Sequence, residues 1–225
     1  NNLRGAEILY TIALNNAKKN NLLPYIKILE RDYEKMIQAR RNLGLFQHHD
    51  AITGTSKSFV MRDYGLKMFG SLRDTVAIQQ FAIQSLVTNA LDAAPEENLI
   101  LSDIERDSYE KMSKKTTIPI GPGKTKQIIL YNSLAQPRDN LVQVRVSTTK
   151  VKVLDNEGKP VVFQLNPVWD CSESNTKISI SKKEFELVFI AKLPELSLVT
   201  YNIQYDNEDS PGNLVTVYCS KCYNS

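Results

Sequence analysis

Leu43-Gly44-Leu45-Phe46-Gln47-His48-His49-Asp50-Ala51-Ile52-Thr53-Gly54-Thr55 joins two helical patterns, and reading it as an interhelical loop decides the fold of the first half of the chain. Upstream of it, Ile28, Leu29, Tyr33, Met36 and Ile37 recur at the spacing that puts residues on one face of a helix. Glu30, Arg31, Glu34, Lys35 and Arg41 decorate the other side, and Gly44 is placed to end the helix. Downstream, Val60, Tyr64, Met68, Leu72 and Val76 step every four residues, and Phe69, Phe81 and Leu86 extend the stripe. They predict a helix from about Ser56 to Leu91. Thr55 or Ser56 is placed to cap it, because a hydroxyl oxygen accepts the unpaired N–H groups of a first helical turn.

Further upstream, Leu3, Ile8, Leu9, Ile12 and Ala13 predict another helix, which the Asn-rich stretch from Asn15 to Asn21 and then Pro24 should end. Three apolar stripes that need one another for burial make residues 1–91 a three-helix bundle, with the stripes as its core. Residues 92–116 are acidic and mixed and read as a linker. From Thr116 the apolar period changes to two. Strands are expected at Gln127–Tyr131, Val142–Val146, Val151–Leu154, Val161–Leu165, Lys177–Ser181, Phe185–Ala191 and Leu198–Tyr205, with a turn at Asp155-Asn156-Glu157-Gly158. Short strands at turn-separated intervals predict an antiparallel, sandwich-like sheet domain over 117–225. The expected class is thus α+β, in a multidomain chain. Trp169, the sole tryptophan, is expected to pack into that domain rather than to stack on a sugar.

Composition narrows the function. The balance of 28 basic and 25 acidic residues, net +3, is too even for a nucleic-acid surface, so no nucleic-acid partner is expected. No run of eighteen apolar residues is present to span a bilayer. The chain starts Asn1-Asn2-Leu3-Arg4, with no initiator Met, directly in helical pattern, and reads as a piece of something longer. Cys171, Cys219 and Cys222 are odd in number. They read as incidental thiols or a disulfide; a zinc site would need more ligands than the Cys219/Cys222 pair and Cys171 supply.

The chemistry concentrates in the opening stretch. The only two histidines, His48 and His49, are adjacent and followed at once by Asp50. Imidazole and carboxylate are the usual nitrogen and oxygen ligands of zinc, and loops held by rigid helices commonly carry binding chemistry. Neighbouring side chains tend to point apart, so one histidine is expected to ligate while Asp50 does something else. A catalytic zinc uses about three protein ligands and an open position, which this loop does not complete. Spacing alone leaves a second reading open, in which the turn is structural and its histidines cap helices or fill a pocket.

The full stretch Leu43–Thr55 resembles the signature of the α-mannosidases of glycoside hydrolase family 38. The resemblance extends to Leu3-Arg4-Gly5-Ala6-Glu7, Ala39-Arg40-Arg41, Asp63-Tyr64-Gly65, Tyr131-Asn132-Ser133-Leu134-Ala135-Gln136-Pro137-Arg138, Val151–Leu154, Gly158-Lys159-Pro160 and Asn166-Pro167-Val168-Trp169. It covers most of the chain to about Tyr205 and fades beyond. The Ile52-Thr53-Gly54 form is more similar to the Golgi α-mannosidase II branch than to the lysosomal one.

The resemblance implies a whole enzyme with an N-terminal β/α barrel, a three-helix bundle and β-rich C-terminal domains, this chain being the bundle and the start of the β region. It implies one Zn²⁺, for which His49 is a ligand and the remaining ligands lie outside the chain. It implies that Asp50 hydrogen-bonds hydroxyls of bound mannose, with His48 in support behind the ligand. The implied reaction is retaining hydrolysis of terminal α-mannosyl residues of N-glycans, in the Golgi lumen or, alternatively, the lysosome. The nucleophile and acid/base are implied to sit in the N-terminal barrel of the same polypeptide, so no catalytic residue is assigned here and the fragment alone is expected to be inactive. The alternative is a truncated, non-catalytic product that binds a glycan or protein partner through its β region.

Overall fold

A computed structural model describes residues 1–87, 106, 108–111, 115–170, 179–207 and 214–215. The chain divides into two compact units, Asn1–Lys114 and Lys115–Ser225. The architecture is α+β: helices first, then two four-stranded sheets. Most of the 92–116 segment, and Cys171, Cys219 and Cys222, lie outside the described residues.

The helical unit contains α1 (Asn2–Lys19), α2 (Leu23–Phe46), the single turn α3 (His49–Ile52) and α4 (Ser58–Val87). The three long helices contact one another pairwise. The buried faces are Ala6, Leu9, Tyr10, Ala13 and Ala17 on α1, and Tyr25, Leu29, Asp32, Met36 and Ala39 on α2, whereas Ile12 and Tyr33, expected in the core, are exposed because they fall on the neighbouring side of each helix. On α4 the buried seam is Ser71, Thr75, Ile78, Ala82 and Ser85. This corrects the expected stripe: Val60, Tyr64, Met68, Leu72 and Val76 are only half-buried. A step of four drifts around a helix of 3.6 residues per turn, whereas alternating steps of four and three stay on one face. Small residues on that face also let the backbones approach. The polar ones are satisfied: Asn42 donates to Ser71 Oγ at 2.9 Å, and Ser71 and Thr75 hydroxyls donate back to Lys67 O and Ser71 O.

The helix ends also differ from expectation. The Asn-rich stretch does not break α1 until Asn20-Asn21, where Asn21 takes a left-handed φ of 54° that asparagine tolerates well. Pro24 falls in the first turn of α2, where its missing N–H removes no helical bond. Gly44 lies inside α2 rather than at its end. No described helix is long and apolar enough to cross a membrane.

In the second unit, one sheet runs β1 (Thr117–Ile118), β3 (Arg138–Val146), β7 (Ser179–Leu193), β6 (Phe163–Asp170). The other runs β2 (Thr125–Asn132), β8 (Ser197–Tyr205), β4 (Val151–Leu154), β5 (Pro160–Val161). Among the named strands all described pairings are antiparallel except β1 with β3, and an isolated bridge from Leu165 to Leu214 is also parallel. Alternate residues of both sheets build one core: Val142 and Val146 of β3, Leu187, Phe189 and Ala191 of β7, Val151 and Val153 of β4, Val199, Tyr201 and Ile203 of β8. The β4–β5 turn closes at Gly158, φ +79°, with Asp155 Oδ1 accepting from the Glu157 and Lys159 backbone N–H groups.

β7 is one strand where the sequence pattern suggests two. Its polar run, Lys182-Lys183-Glu184, coincides with a register shift: β7 pairs with β6 at Ser179 and Ile180, and with both β6 and β3 from Phe185 on, while the strand itself continues through. Trp169 is 49% exposed, not packed away; it sits on β6 beside a register shift between Pro167 and Trp169. Asn132, fully buried, ties the unit together. Its amide donates to Gln136 O (2.9 Å) and Pro194 O (2.7 Å), and its Oδ1 accepts from Leu134 N (3.1 Å).

Candidate functional site

α2 ends at Phe46, and the ring of Phe46 meets Tyr64 of α4 edge-on at 5.9 Å, clamping the two helices on either side of the loop. His48 leaves the helix with φ −53° and ψ 136° and begins α3 as its N-cap. Its carbonyl accepts from Ala51 N and Ile52 N, and its Nδ1 accepts from Asp50 N at 3.3 Å. One imidazole thus does the work an Asn or Ser side chain usually does at a helix start. Ala51 is buried and anchors the turn from beneath, so its neighbours His49 and Asp50 face outward. The His49 side chain is 84% exposed and that of Asp50 47%.

The three predicted residues come together. The rings of His48 and His49 lie 4.4 Å apart, His49 Nε2 is 3.5 Å from Asp50 Oδ2, and one ligand atom from each residue falls within 4.8 Å of the others. The expectation that adjacent side chains point apart is overturned here, because the tight turn of α3 folds both rings to one side. Two nitrogens and one carboxylate oxygen are a donor set that zinc accepts. The set fits part of a zinc site: His48 has its Nδ1 committed to Asp50 N, which leaves His49 as the freest nitrogen donor.

Asp50 is the most heavily tethered residue of the loop. Its carbonyl accepts from Thr55 N, Ser56 N and Ser56 Oγ, each at 3.1 Å. Its Oδ1 accepts from Thr55 Oγ1 at 3.0 Å. Thr53 Oγ1 lies 2.8 Å from Thr55 Oγ1 and donates to His49 O at 2.5 Å. Gly54, at φ +72°, supplies the reversal that brings Thr55 back onto Asp50. Thr55 and Ser56 therefore turn inward to Asp50, and it is Lys57 whose carbonyl starts α4, accepting from Val60 N and Met61 N. The capping role expected of the two hydroxyls is replaced by this inward one. Their place in the site was missed by sequence reading; the signal was the run of hydroxyl residues around Gly54.

A groove of about 630 Å³ lined by Phe69, Leu72, Arg73, Asp74 and Arg106 lies along α4, on residues other than those of the loop.

Glu7 and Arg40, from two of the stretches quoted above, meet between α1 and α2 at 2.6 Å, and that hydrogen bond holds the guanidinium pKa above its usual value.

Comparison with known proteins agrees with these observations. Residues 1–86 match the family model of the alpha mannosidase middle domain. Alpha-mannosidase 2 of Spodoptera frugiperda is 36% identical over 225 residues, covering 98% of this chain and 19% of that protein. Alpha-mannosidase 2 of Homo sapiens is 36% identical over 204 residues, covering 89% of this chain and 17% of that protein. The Mus musculus protein of the same name is 35% identical over 204 residues, with the same two coverages. The chain belongs to the α-mannosidase family, with residues 1–86 as its middle domain, and it spans about a fifth of the length of the relatives it matches.

Proposed function

We propose that this chain is the part of a zinc-dependent, retaining α-mannosidase that contributes one wall of the active site. His49 is the zinc ligand and Asp50 accepts hydrogen bonds from hydroxyls of a terminal mannose. His48 orders the turn behind them. The substrate is an N-glycan, and the compartment is the Golgi lumen. The observation that carries this reading is the outward presentation of His49 and Asp50 from a turn whose every neighbour is tied down. An exposed donor pair on an ordered support suits a surface completed by another part of the same polypeptide.

Zinc, when bound, would supply Lewis-acid contact to sugar hydroxyls. The rest is done by this chain. The Asp50 carboxylate keeps Oδ2 for the ligand side while Thr55 occupies Oδ1. A carboxylate acceptor for a hydroxyl gains more than a neutral one, and it fixes ring orientation, which raises the fraction of productive encounters. The nucleophile and the acid/base of retaining chemistry, two carboxyls about 5 Å apart, come from the remainder of the enzyme.

The test uses the full-length protein that carries this segment. His49→Ala should lower bound zinc at least about tenfold by elemental analysis. Asp50→Ala should leave zinc in place and lower kcat/KM for an aryl α-mannoside about a hundredfold, the loss of two hydrogen bonds to a charged group. Full zinc occupancy and wild-type turnover in His49→Ala would refute the assignment.

A further inference from the structure

We infer that Thr55 is a positioning residue for the Asp50 carboxylate, an inference that rests on the sugar-binding role proposed for Asp50. Thr55 touches Asp50 twice. Its backbone N–H donates to the Asp50 carbonyl at 3.1 Å, and its hydroxyl donates to Oδ1 at 3.0 Å. The first bond fixes the main chain, a task shared with two donors of Ser56. Only the second bond sets the side-chain torsion. With Oδ1 held, Oδ2 is left on the side of His49, 3.5 Å from Nε2. A carboxylate that is about half exposed otherwise rotates freely, because terminal carboxyl torsions have broad, shallow minima.

Thr53 decides where the Thr55 proton can go, since its own hydroxyl is spent on the His49 carbonyl and does not compete for the carboxylate. Thr53 Oγ1 lies 2.8 Å from Thr55 Oγ1 and 2.5 Å from the His49 carbonyl, so one chain of contacts runs from the backbone of His49 to the carboxylate of Asp50. An ionised carboxylate and a carbonyl can only accept, and two hydroxyls bring two protons to the three contacts. The proton of Thr55 is claimed by the charged acceptor, which is the stronger of its two partners. Gly54 makes the geometry reachable, since its positive φ turns the chain so that residue 55 faces residue 50.

Threonine and valine are nearly isosteric and share β-branching, so Thr55→Val deletes the hydroxyl and spares the backbone bond. In the full-length enzyme, Thr55→Val should lower kcat/KM for an aryl α-mannoside about tenfold, as expected for one hydrogen bond to a charged group. Thr55→Ser should restore it to within about twofold. The same Val substitution in an Asp50→Ala background should cost less than about twofold, because the group it positions is gone. Binding of a mannose-configured competitive inhibitor, followed by titration calorimetry, should weaken in parallel, with zinc content and thermal midpoint unchanged. Equal losses in both backgrounds, or wild-type kinetics in Thr55→Val, would overturn the inference while leaving the role of Asp50 intact. A wild-type kcat/KM in Asp50→Ala would instead remove the reading on which it rests, and the inference with it.

Discussion

Gly54 shows how much of the loop depends on one backbone angle. At φ +72° it sits where an L side chain is disfavoured by about 1–2 kcal/mol. No atom lies within 4 Å of where its Cβ would stand, so the cost of a substitution is conformational rather than steric. Gly54→Ala should therefore destabilise the helical unit by about 1 kcal/mol in denaturant titration read at 222 nm, and Gly54→Asn by less, since asparagine enters this region more readily. An equal loss for both would point to steric crowding instead. The sequence made this glycine visible as a turn, and made His48, His49 and Asp50 visible as chemistry. It did not separate their tasks. His48 is a cap because its ring accepts from Asp50 N, and that choice is set by backbone angles no spacing encodes. Thr55 and Ser56 sit where caps usually sit, and only the positive φ before them turns both onto Asp50.

Among the elements, α1 and α2 were legible as helices, and Leu9, Ala13, Leu29 and Met36 of their stripes are buried, but Ile12 and Tyr33 are exposed because small residues such as Ala6 and Ala39 take part of the seam. On α4 large residues advertise a stripe that stays half-buried, while Ser71, Thr75 and Ser85 occupy the seam. Hydropathy could not flag them, because what buries them is close approach together with hydrogen bonds to the α4 backbone and Asn42. The strands were legible by alternation, and β7 reads as two because its polar run falls where the pairing shifts register although the strand runs on. Asn132 at the end of β2 illustrates the same limit, being a buried polar residue with a structural duty. It bridges the turn after β2 and the β7–β8 turn through Gln136 O, Pro194 O and Leu134 N. Asn132→Ala removes these three bonds, with Ser197 Oγ still donating to Pro194 O, and should cost the sheet unit roughly 2 kcal/mol by urea unfolding. Asn132→Asp should not rescue it, since a carboxylate offers no donor to the two carbonyls. A loss below about 1 kcal/mol would show that water reaches them.

For the whole molecule, the distribution of donors is the deciding fact. The described residues gather one group of possible metal ligands, His48, His49 and Asp50, and the two histidines are exposed. Tight zinc sites close four ligands around the ion and shield it, and catalytic ones use three with ordered support. Here one imidazole nitrogen is spent on a cap and Thr55 holds one carboxylate oxygen. The isolated 225-residue chain should accordingly bind zinc with a Kd of about 10 µM or weaker, far from the affinity of closed sites. It should give no turnover of an aryl α-mannoside above buffer, with or without added zinc, because the carboxyl pair of retaining chemistry is supplied elsewhere under the proposed function. The chain spans about a fifth of its relatives, so the same assay on the longer polypeptide is the matched control. Activity there and silence here would assign the loop its role as one wall of a composite site. Robust turnover by the purified chain would require a nucleophile within it, and would move the search to its own carboxylates, starting with those near His49.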